Sequence, residues 1–330
     1  MKFDASLKDI ALFVAVFEER SFTRAADREG ATQSGVSQHI RKLEGRLGVG
    51  LFIREAGEIR PTPAAEMYYR GCIDLLRGYE KTARDVREFE DDLDGEVHLG
   101  LTATFTRSVL APVLIAFESR HPNVKVGVIE THPHLLAQQV LAGELDFAIV
   151  PNQVQQPGLR NTFFIRTPEV LVSAPRSGLE HRKPVALAAL GPLKLLMPGS
   201  RSIRRQAFDR YFASSDIRIT RRLELDVVFT MLDIVRTTDW QIILPALMMA
   251  PEVANGDLVV SPLAEPPLFF ECSCIEPLRR PLSKAAEAFF GALREGAEAC
   301  NRAAVEQLGL GSPDGALDPI TLSTGRQQVK

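Results

Sequence analysis

Cysteine is scarce: four residues in 330, at Cys72, Cys272, Cys274 and Cys300, too few for the disulfide framework of a small secreted scaffold. Aromatic residues make up only 7% of the chain, and tryptophan occurs once, at Trp240. No apolar run approaches the ~18 residues that a membrane-spanning helix requires, so no membrane partner is expected. Asp4 and Asp9 break the basic-then-apolar order of an export signal. A dominant charge is missing as well. The net value is −3, whereas wrapping nucleic acid without sequence preference calls for a strong basic excess. There is no GxxxxGK[ST] loop, GxSxG elbow or HExxH pair. His132-Pro133-His134 lacks a third ligand at metal-binding spacing. Cys272 and Cys274, two apart on an expected strand, share a face but are poorly placed to bridge each other. These absences point to a cytoplasmic protein with two or three domains, no metal, no cofactor and no catalytic constellation.

What the chain does have is a patterned first sixty residues. Leu7, Ile10, Val14 and Phe17 recur at helical spacing, which predicts a buried first helix. Ser21 reads as the cap of a short second helix carrying Phe22, Ala25 and Ala26, and Gly30 suits the left-handed residue after it. Thr32 caps a third, whose Val36, Ile40, Leu43 and Leu47 form the inward stripe. Its other, early face shows Gln33, Ser34, Ser37, Gln38 and Arg41. A tight turn between two helices, the second offering amides, hydroxyls and arginine, is a helix-turn-helix pattern. Glutamine can read adenine bidentately, and arginine can read guanine or hold phosphate. Taken alone, such a face also fits plain solvation. The next residues favour the first reading: Leu51–Arg54, the turn Glu55–Glu58 and Ile59-Arg60 make a two-stranded wing flanked by Arg54 and Arg60. Charge supports it mildly, with eight basic against five acidic residues between positions 20 and 60.

The run from Ser21 to Glu66 resembles the N-terminal winged helix of the LysR-type transcriptional regulators. Ser21-Phe22, Ala25-Ala26, Gln33-Ser34, Val36-Ser37, Ile40, Leu43-Glu44, Leu47-Gly48, Leu51-Phe52, Arg54 and Thr62 carry the resemblance in fixed register. Pro61 and Ala65 depart from the family's usual Leu and Gly, and Glu29-Gly30 from its usual helix end. The resemblance implies that Gln33, Ser34 and Ser37 meet base edges of double-stranded promoter DNA. Thr32, Arg41 and Arg54 would contact its backbone, with Gln38 on the same face.

Thr62-Pro63 gives a cap and a first-turn proline, and a helix over about 63–92 would be roughly 45 Å long. Cys72, Tyr79, Val86 and Leu93 repeat at seven, with Leu75, Thr82 and Phe89 three residues on. This seam suits pairing with another helix, or packing against its own chain. In the resembled family the segment is the dimerisation helix. Cys72 reads as a small core residue rather than a redox switch.

Beyond Glu96, β-like and helical runs alternate, predicting parallel α/β sheets. The strands are Val97–Leu101, Val124–Glu130, Leu145–Val150, Val170–Ser173, Leu193–Met197, Ile219–Asp226, Ile242–Leu244, Leu258–Val260 and Leu268–Ile275. Pro151–Gly158 would be a crossover or hinge. Thr102-Ala103-Thr104 and Pro198–Ser202 follow strands and open helices, where free N–H groups and hydroxyls favour an anion. Arg201, Arg204 and Arg205 would reinforce it if they face inward. Leu110–Leu114, Phe117, His121–Val124 and Gly143–Asp146 extend the family resemblance into this region. It implies a two-lobed effector domain of the periplasmic-binding-protein kind. Thr102, Thr104, Thr131, Ser200 and Arg201 are then the candidates for binding a small effector, an organic acid by their chemistry. Thr238–Gln241 stands where the family often carries Gly-x-Gly, which would put Trp240 near a cleft edge.

The organisation read from sequence is therefore an α/β protein. A winged helix-turn-helix spans 1–62, a dimerisation helix 63–94 and an effector domain 95–305, followed by a tail at 306–330 expected to be disordered. Lobe one would take about 95–165 and 266–305, and lobe two about 166–265. The resemblance implies a bacterial homo-oligomer, a dimer assembling to a tetramer, that would meet RNA polymerase if it activates. The rival is a solute-binding or enzymatic α/β protein whose N-terminal helices serve assembly alone.

Overall fold

The computed structural model describes residues 5–55, 58–87, 93–200, 202–214 and 217–310. It divides into two compact units, Met1–Asp92 with Pro277–Lys284, and Leu93–Glu276 with Ala285–Lys330.

In the first unit, helix α1 (Leu7–Glu19) starts at a reciprocal cap. The Ser6 hydroxyl accepts the Asp9 N–H while the Asp9 carboxylate accepts the Ser6 N–H. Burial pushes the Asp9 carboxyl up, but the Ser6 N–H and His39 outweigh it and hold it at about 2. Helices α2 (Phe22–Arg28) and α3 (Gln33–Leu47) follow, then strands β1 (Phe52–Glu55) and β2 (Glu58–Pro61) and the long helix α4 (Pro63–Arg87). The strands pair antiparallel with Phe52 opposite Pro61 and Glu55 opposite Glu58, forming the expected wing. One core gathers Phe13, Val16, Phe22, Val36, Ile40, Leu43 and Leu51 with Cys72 and Ile73 of α4. Leu47, expected on the inward stripe of α3, is instead 40% exposed. Near the end of the helix the core no longer reaches it.

Residues 277–284 belong to this unit although they follow it by two hundred positions. Leu278 packs on the helical core. The buried Arg77 of α4 donates to the carbonyls of Pro277 (2.5 Å), Leu278 (3.0 Å) and Arg280 (3.4 Å). Arg279 pairs with the Glu18 carboxylate. Removing Arg77 deletes charged hydrogen bonds from a buried side chain, so Arg77→Met is expected to cost about 1.5–3 kcal/mol. A urea denaturation should read this as a lower midpoint, and an unchanged midpoint would show the interaction to be idle.

The second unit is built on one sheet in the order β4-β3-β5-β11-β6-β9-β7-β8, with β10 paired to β6. Strands β3 (Gly95–Leu101), β4 (Val124–Glu130) and β5 (Phe147–Pro151) form one parallel triplet. Strands β7 (Leu193–Met197), β8 (Ile219–Glu224) and β9 (Gln241–Pro245) form another. Between the triplets run β6 (Leu159–Ser173) and β11 (Phe269–Pro277), antiparallel to β9 and β5 respectively, and β10 (Val259–Pro262) is antiparallel to β6. The expectation of parallel sheets thus holds for the two triplets and fails where β6, β10 and β11 join them, so the sheet is mixed. The two long strands carry the chain from one lobe to the other and back, so they must oppose their neighbours.

Helices α5 (Ala103–Ser108), α6 (Leu110–Arg120) and α7 (Pro133–Ala142) serve the first lobe; α8 (Ile203–Ala213), α9 (Val228–Thr237) and α10 (Ala250–Asn255) serve the second. The last helix, α11 (Lys284–Gln307), sets Phe289 edge-on to Phe117 and Phe290 edge-on to Phe147 in lobe one. The chain remains ordered past the expected start of the tail at 306. Leu308 is buried, and Leu310 packs beside it on the lobe-two core. The remainder of that tail, 311–330, lies outside the described residues. No helix among the described residues is long and apolar enough to cross a membrane.

Candidate DNA-reading face and effector cleft

Local chemistry fixes the turn that presents α3. The Ser21 hydroxyl accepts the Arg24 N–H at the start of α2. Gly30 at φ 60° makes the bend, and the Ala31 N–H closes it on the Ala26 carbonyl. The Thr32 hydroxyl then accepts the Gly35 N–H to start α3. Val36, Ile40 and Leu43 pin the helix inward, each 2% exposed or less. Gln33, Ser34, Gln38 and Arg41 face water beside Thr32. Ser37 is 7% exposed, so of the residues expected to face DNA it offers the least surface. Lys42, one helical turn beyond Gln38, is exposed on the same side. It is not among the family marks on either side of it, although its i+4 spacing from Gln38 was the available signal.

Wing and helix share a single anchor. One oxygen of the Glu44 carboxylate accepts the N–H groups of both Leu51 (2.7 Å) and Phe52 (3.2 Å). Thr62 closes the far side, donating to the Gly50 carbonyl and accepting the Ala65 N–H at the start of α4. Arg54 lies on β1, while Arg60 on β2 pairs with Glu58 in solvent.

The long helix has two apolar faces. Cys72 and Ile73 are buried in the unit's own core, so Cys72 leaves the expected seam. Burial raises its thiol to about 11, which keeps it protonated. Leu75 (59%), Tyr79 (58%) and Val86 (70%) further along the helix are exposed, as is Met67 (72%) near its start. Leu93 and Phe89 fall outside this helix, and Phe89 outside the described residues.

In the effector unit the candidates gather at strand ends. Thr102 follows β3 and caps α5 without a side-chain bond, and its buried hydroxyl has no partner. The Thr131 N–H reaches the Leu101 carbonyl at 3.4 Å, bringing the end of β4 beside Thr102. Thr104 is buried at 5% exposure. In lobe two, Gly199 donates its N–H to Asp226 at 2.9 Å. A Cβ there would stand 2.6 Å from that carboxylate, so a side chain at 199 would displace Asp226 from this bond. Ser200 is exposed, and Arg201 lies outside the described residues.

The neighbouring arginines are already engaged, contrary to the idea that they await an anion. Arg204 donates to both oxygens of the buried Glu169, at 2.6 and 2.9 Å. Burial raises the Glu169 carboxyl and Arg204 opposes that rise. Arg205 binds Glu224, Asp209 and the Pro198 carbonyl. Glu169 and Glu224 stand 35 and 19 positions away from these arginines, beyond the reach of local pattern.

Across the lobes, Arg107 of α5 forks onto Glu252 and donates to the Met248 carbonyl. Ser108 donates to the Leu247 carbonyl at 2.7 Å. Trp240 is not at the cleft. It precedes β9, whereas the cleft loops lie beyond the other ends of β7 and β9. His132 and His134 face each other as rings 6.0 Å apart, and the described residues hold no cluster able to bind a metal.

A winged helix-turn-helix followed by a long helix and a two-lobed α/β unit is the domain order of a DNA-binding regulator with a substrate-binding domain. Residues 7–66 match the bacterial regulatory helix-turn-helix protein model of the lysR family, and residues 90–298 match the LysR substrate binding domain. The chain therefore belongs to the LysR family of transcriptional regulators, and its relatives are regulators rather than enzymes. It is 27% identical over 290 residues to the uncharacterized HTH-type transcriptional regulator YfeR of Shigella flexneri, covering 88% of this chain and 94% of that one. It is 24% identical to the HTH-type transcriptional regulator BenM of Acinetobacter baylyi over 51% of this chain and 54% of that protein. Among solved structures, an H2O2-bound mutant of Corynebacterium glutamicum OxyR aligns with TM-score 0.57 at 19% identity, covering 94% of this chain and 99% of that one. Full-length CbnR complexed with its target DNA aligns with TM-score 0.50 at 20% identity, covering 89% and 100%. At these identities the structural likeness is one of fold.

Proposed function

We propose that the protein reads promoter DNA as a dimer through α3 and changes its grip when a small organic acid enters the cleft between its lobes. The observation that carries the first half is the row Gln33, Ser34, Gln38 and Arg41. These side chains are exposed on a helix that Val36, Ile40 and Leu43 hold rigidly. Gln33, Gln38 and Ser34 would meet base edges in the major groove, and Thr32, Arg41, Lys42 and Arg54 the phosphates. Ser37 would buttress the helix rather than read bases. The exposed stripe of Leu75, Tyr79 and Val86 would pair with the same helix of a second copy, placing two reading helices on a two-fold operator. Two such dimers would make a tetramer in the cytoplasm, where RNA polymerase would be the further partner of an activator.

The second half rests on the unpartnered hydroxyl of Thr102 at the start of α5. An orphan buried hydroxyl is costly unless a ligand or water satisfies it. With Arg204 and Arg205 engaged elsewhere, a carboxylate would be held by hydroxyls and helix-start N–H groups, from Thr102 and Thr131 on one lobe and Ser200 on the other. Thr104 would line the base of the site and Arg201 would flank it. Because α5 also carries Arg107 and Ser108, a ligand that moves Thr102 pulls on the lobe-to-lobe clamp. Its effect on DNA binding can be no larger than its preference for one lobe arrangement. Thermal unfolding with a panel of small organic acids tests this. A ligand should raise the midpoint in the parent chain, and the rise should vanish in Thr102→Val, which keeps the shape and removes the hydroxyl. A ligand whose shift survives in Thr102→Val would place the site elsewhere.

A further inference from the structure

A second cavity lies at the opposite end of the lobe-two sheet from the cleft. Its walls come from the end of β6, the start of β7 and the residues before β9, together with the 3-10 turn Pro175–Ser177. Since β6 runs against β9, these three places meet at one edge. The five-residue strand β7 puts that edge roughly 16 Å from the Pro198–Ser200 loop. The cavity holds about 430 Å³, inside the range of small-molecule sites.

Its chemistry is uneven. Lys194 is neutralised at 2.5 Å by Asp239. Arg176 is exposed on the turn and makes no hydrogen bond or ion pair among the described residues. One cationic fork is thus left uncompensated. Half-buried Trp240 and the side chains of Leu179 and Leu190 line the same cavity. Arg221 sits over the Trp240 ring at 5.4 Å and steadies it. Ser177, whose hydroxyl is shared with Ser173 at 3.0 Å and with the Leu179 N–H, ties down the turn that carries Arg176.

We propose that this cavity is a second ligand site of the effector domain, taking a small monocarboxylate with a flat, aromatic body and separate from the cleft between the lobes. Arg176 takes the carboxylate in the bidentate manner that suits a guanidinium, and the ring of the ligand lies against Trp240. The site stands whether or not the cleft binds an organic acid, because it shares no residue with the cleft.

Trp240 is the chain's single tryptophan, so its fluorescence reports on this cavity directly. The probe is para-nitrobenzoate, which quenches indole on contact, with para-nitrobenzyl alcohol as the uncharged counterpart. In the full chain, para-nitrobenzoate should quench Trp240 along a saturating curve and the alcohol should not. Arg176→Gln, on an exposed turn, should keep the parent's thermal midpoint and weaken the apparent affinity at least tenfold. Thr102→Val should leave the titration unchanged. Three results would overturn the proposal: quenching that rises without saturation as it does for free tryptophan, equal affinity in Arg176→Gln, or saturation lost in Thr102→Val and kept in Arg176→Gln. Equal saturation by the alcohol would remove the anion from it.

Discussion

Gln33→Ala is expected to weaken binding to the specific operator by about 1–3 kcal/mol for each base edge it no longer reads, and about twice that in a dimer that reads two half-sites. Binding to unrelated DNA should stay nearly constant, because the deleted amide reads a base edge and the phosphates remain held. Gln38→Ala should behave in the same way. Arg41→Ala should lower affinity for all sequences alike and reduce the salt dependence by about one ion per protomer. Gln33 and Gln38 are exposed on a helix buried through other positions, so these variants should unfold at the parent's temperature. The measurement is the ratio of specific to non-specific affinity at fixed salt. If Gln33→Ala and Gln38→Ala both leave that ratio unchanged, α3 does not read bases through these residues.

A charge placed on the outer face of α4 should have an effect as large. Leu75 and Tyr79 are 59% and 58% exposed in the single chain, yet two such side chains in water on a 25-residue helix leave an apolar stripe unburied. The double variant Leu75→Asp, Tyr79→Asp should therefore keep its fold and lose its partner, because like charges would meet across the seam. Sedimentation should show the dimer pair broken. Operator affinity should fall by two orders of magnitude or more, since a lone winged helix holds one half-site without the advantage of linkage. A variant that sediments like the parent would show that the copies meet elsewhere. An aspartate at Ile73, which is buried in the unit's own core, should unfold the winged helix and makes the contrasting control.

The contrast between Leu75 and Cys72 shows where sequence reading stopped. A seven-residue repeat names a face of a helix but not the neighbour that covers it, and α4 has one face for its own core and another left open. Elements defined by local chemistry were legible. The Thr32 cap, the Gly30 turn and the wing came out as read, and strands Val124–Glu130 and Leu193–Met197 have the expected bounds. The long strand β6 was seen only in its last residues. Arg160, Asn161, Arg166, Pro168 and Glu169 disguise its first two thirds as loop. Some of their polar groups meet partners far along the chain, as Glu169 meets Arg204 and the Arg166 carbonyl accepts from Asn301.

The candidate sites divide in the same way. The α3 face was readable because one helix carries all of it. The position of Thr102 and Thr131 at strand ends could be read by rule, while the pairing of Arg204 and Arg205 could not. Trp240 precedes β9, so the rule that serves the threonines puts it at the end away from the cleft; the likeness of Thr238–Gln241 to the family's Gly-x-Gly position pointed the other way. The cavity that Trp240 lines is assembled from three separated segments and left no mark in the sequence. The segment 277–284 likewise has no periodicity to show that Arg77 and Glu18 hold it in the first unit.

The central claim is sequence-specific DNA binding through α3, and a mobility shift tests it most directly. The full chain would be titrated onto the DNA immediately upstream of its own gene, and onto a pool of genomic fragments, at one stated salt concentration with excess competitor DNA. The account expects a complex on at least one discrete sequence with two-fold symmetry that survives the competitor and is lost in Gln33→Ala. Binding that the competitor abolishes on every fragment, or that Gln33→Ala leaves intact, would contradict it.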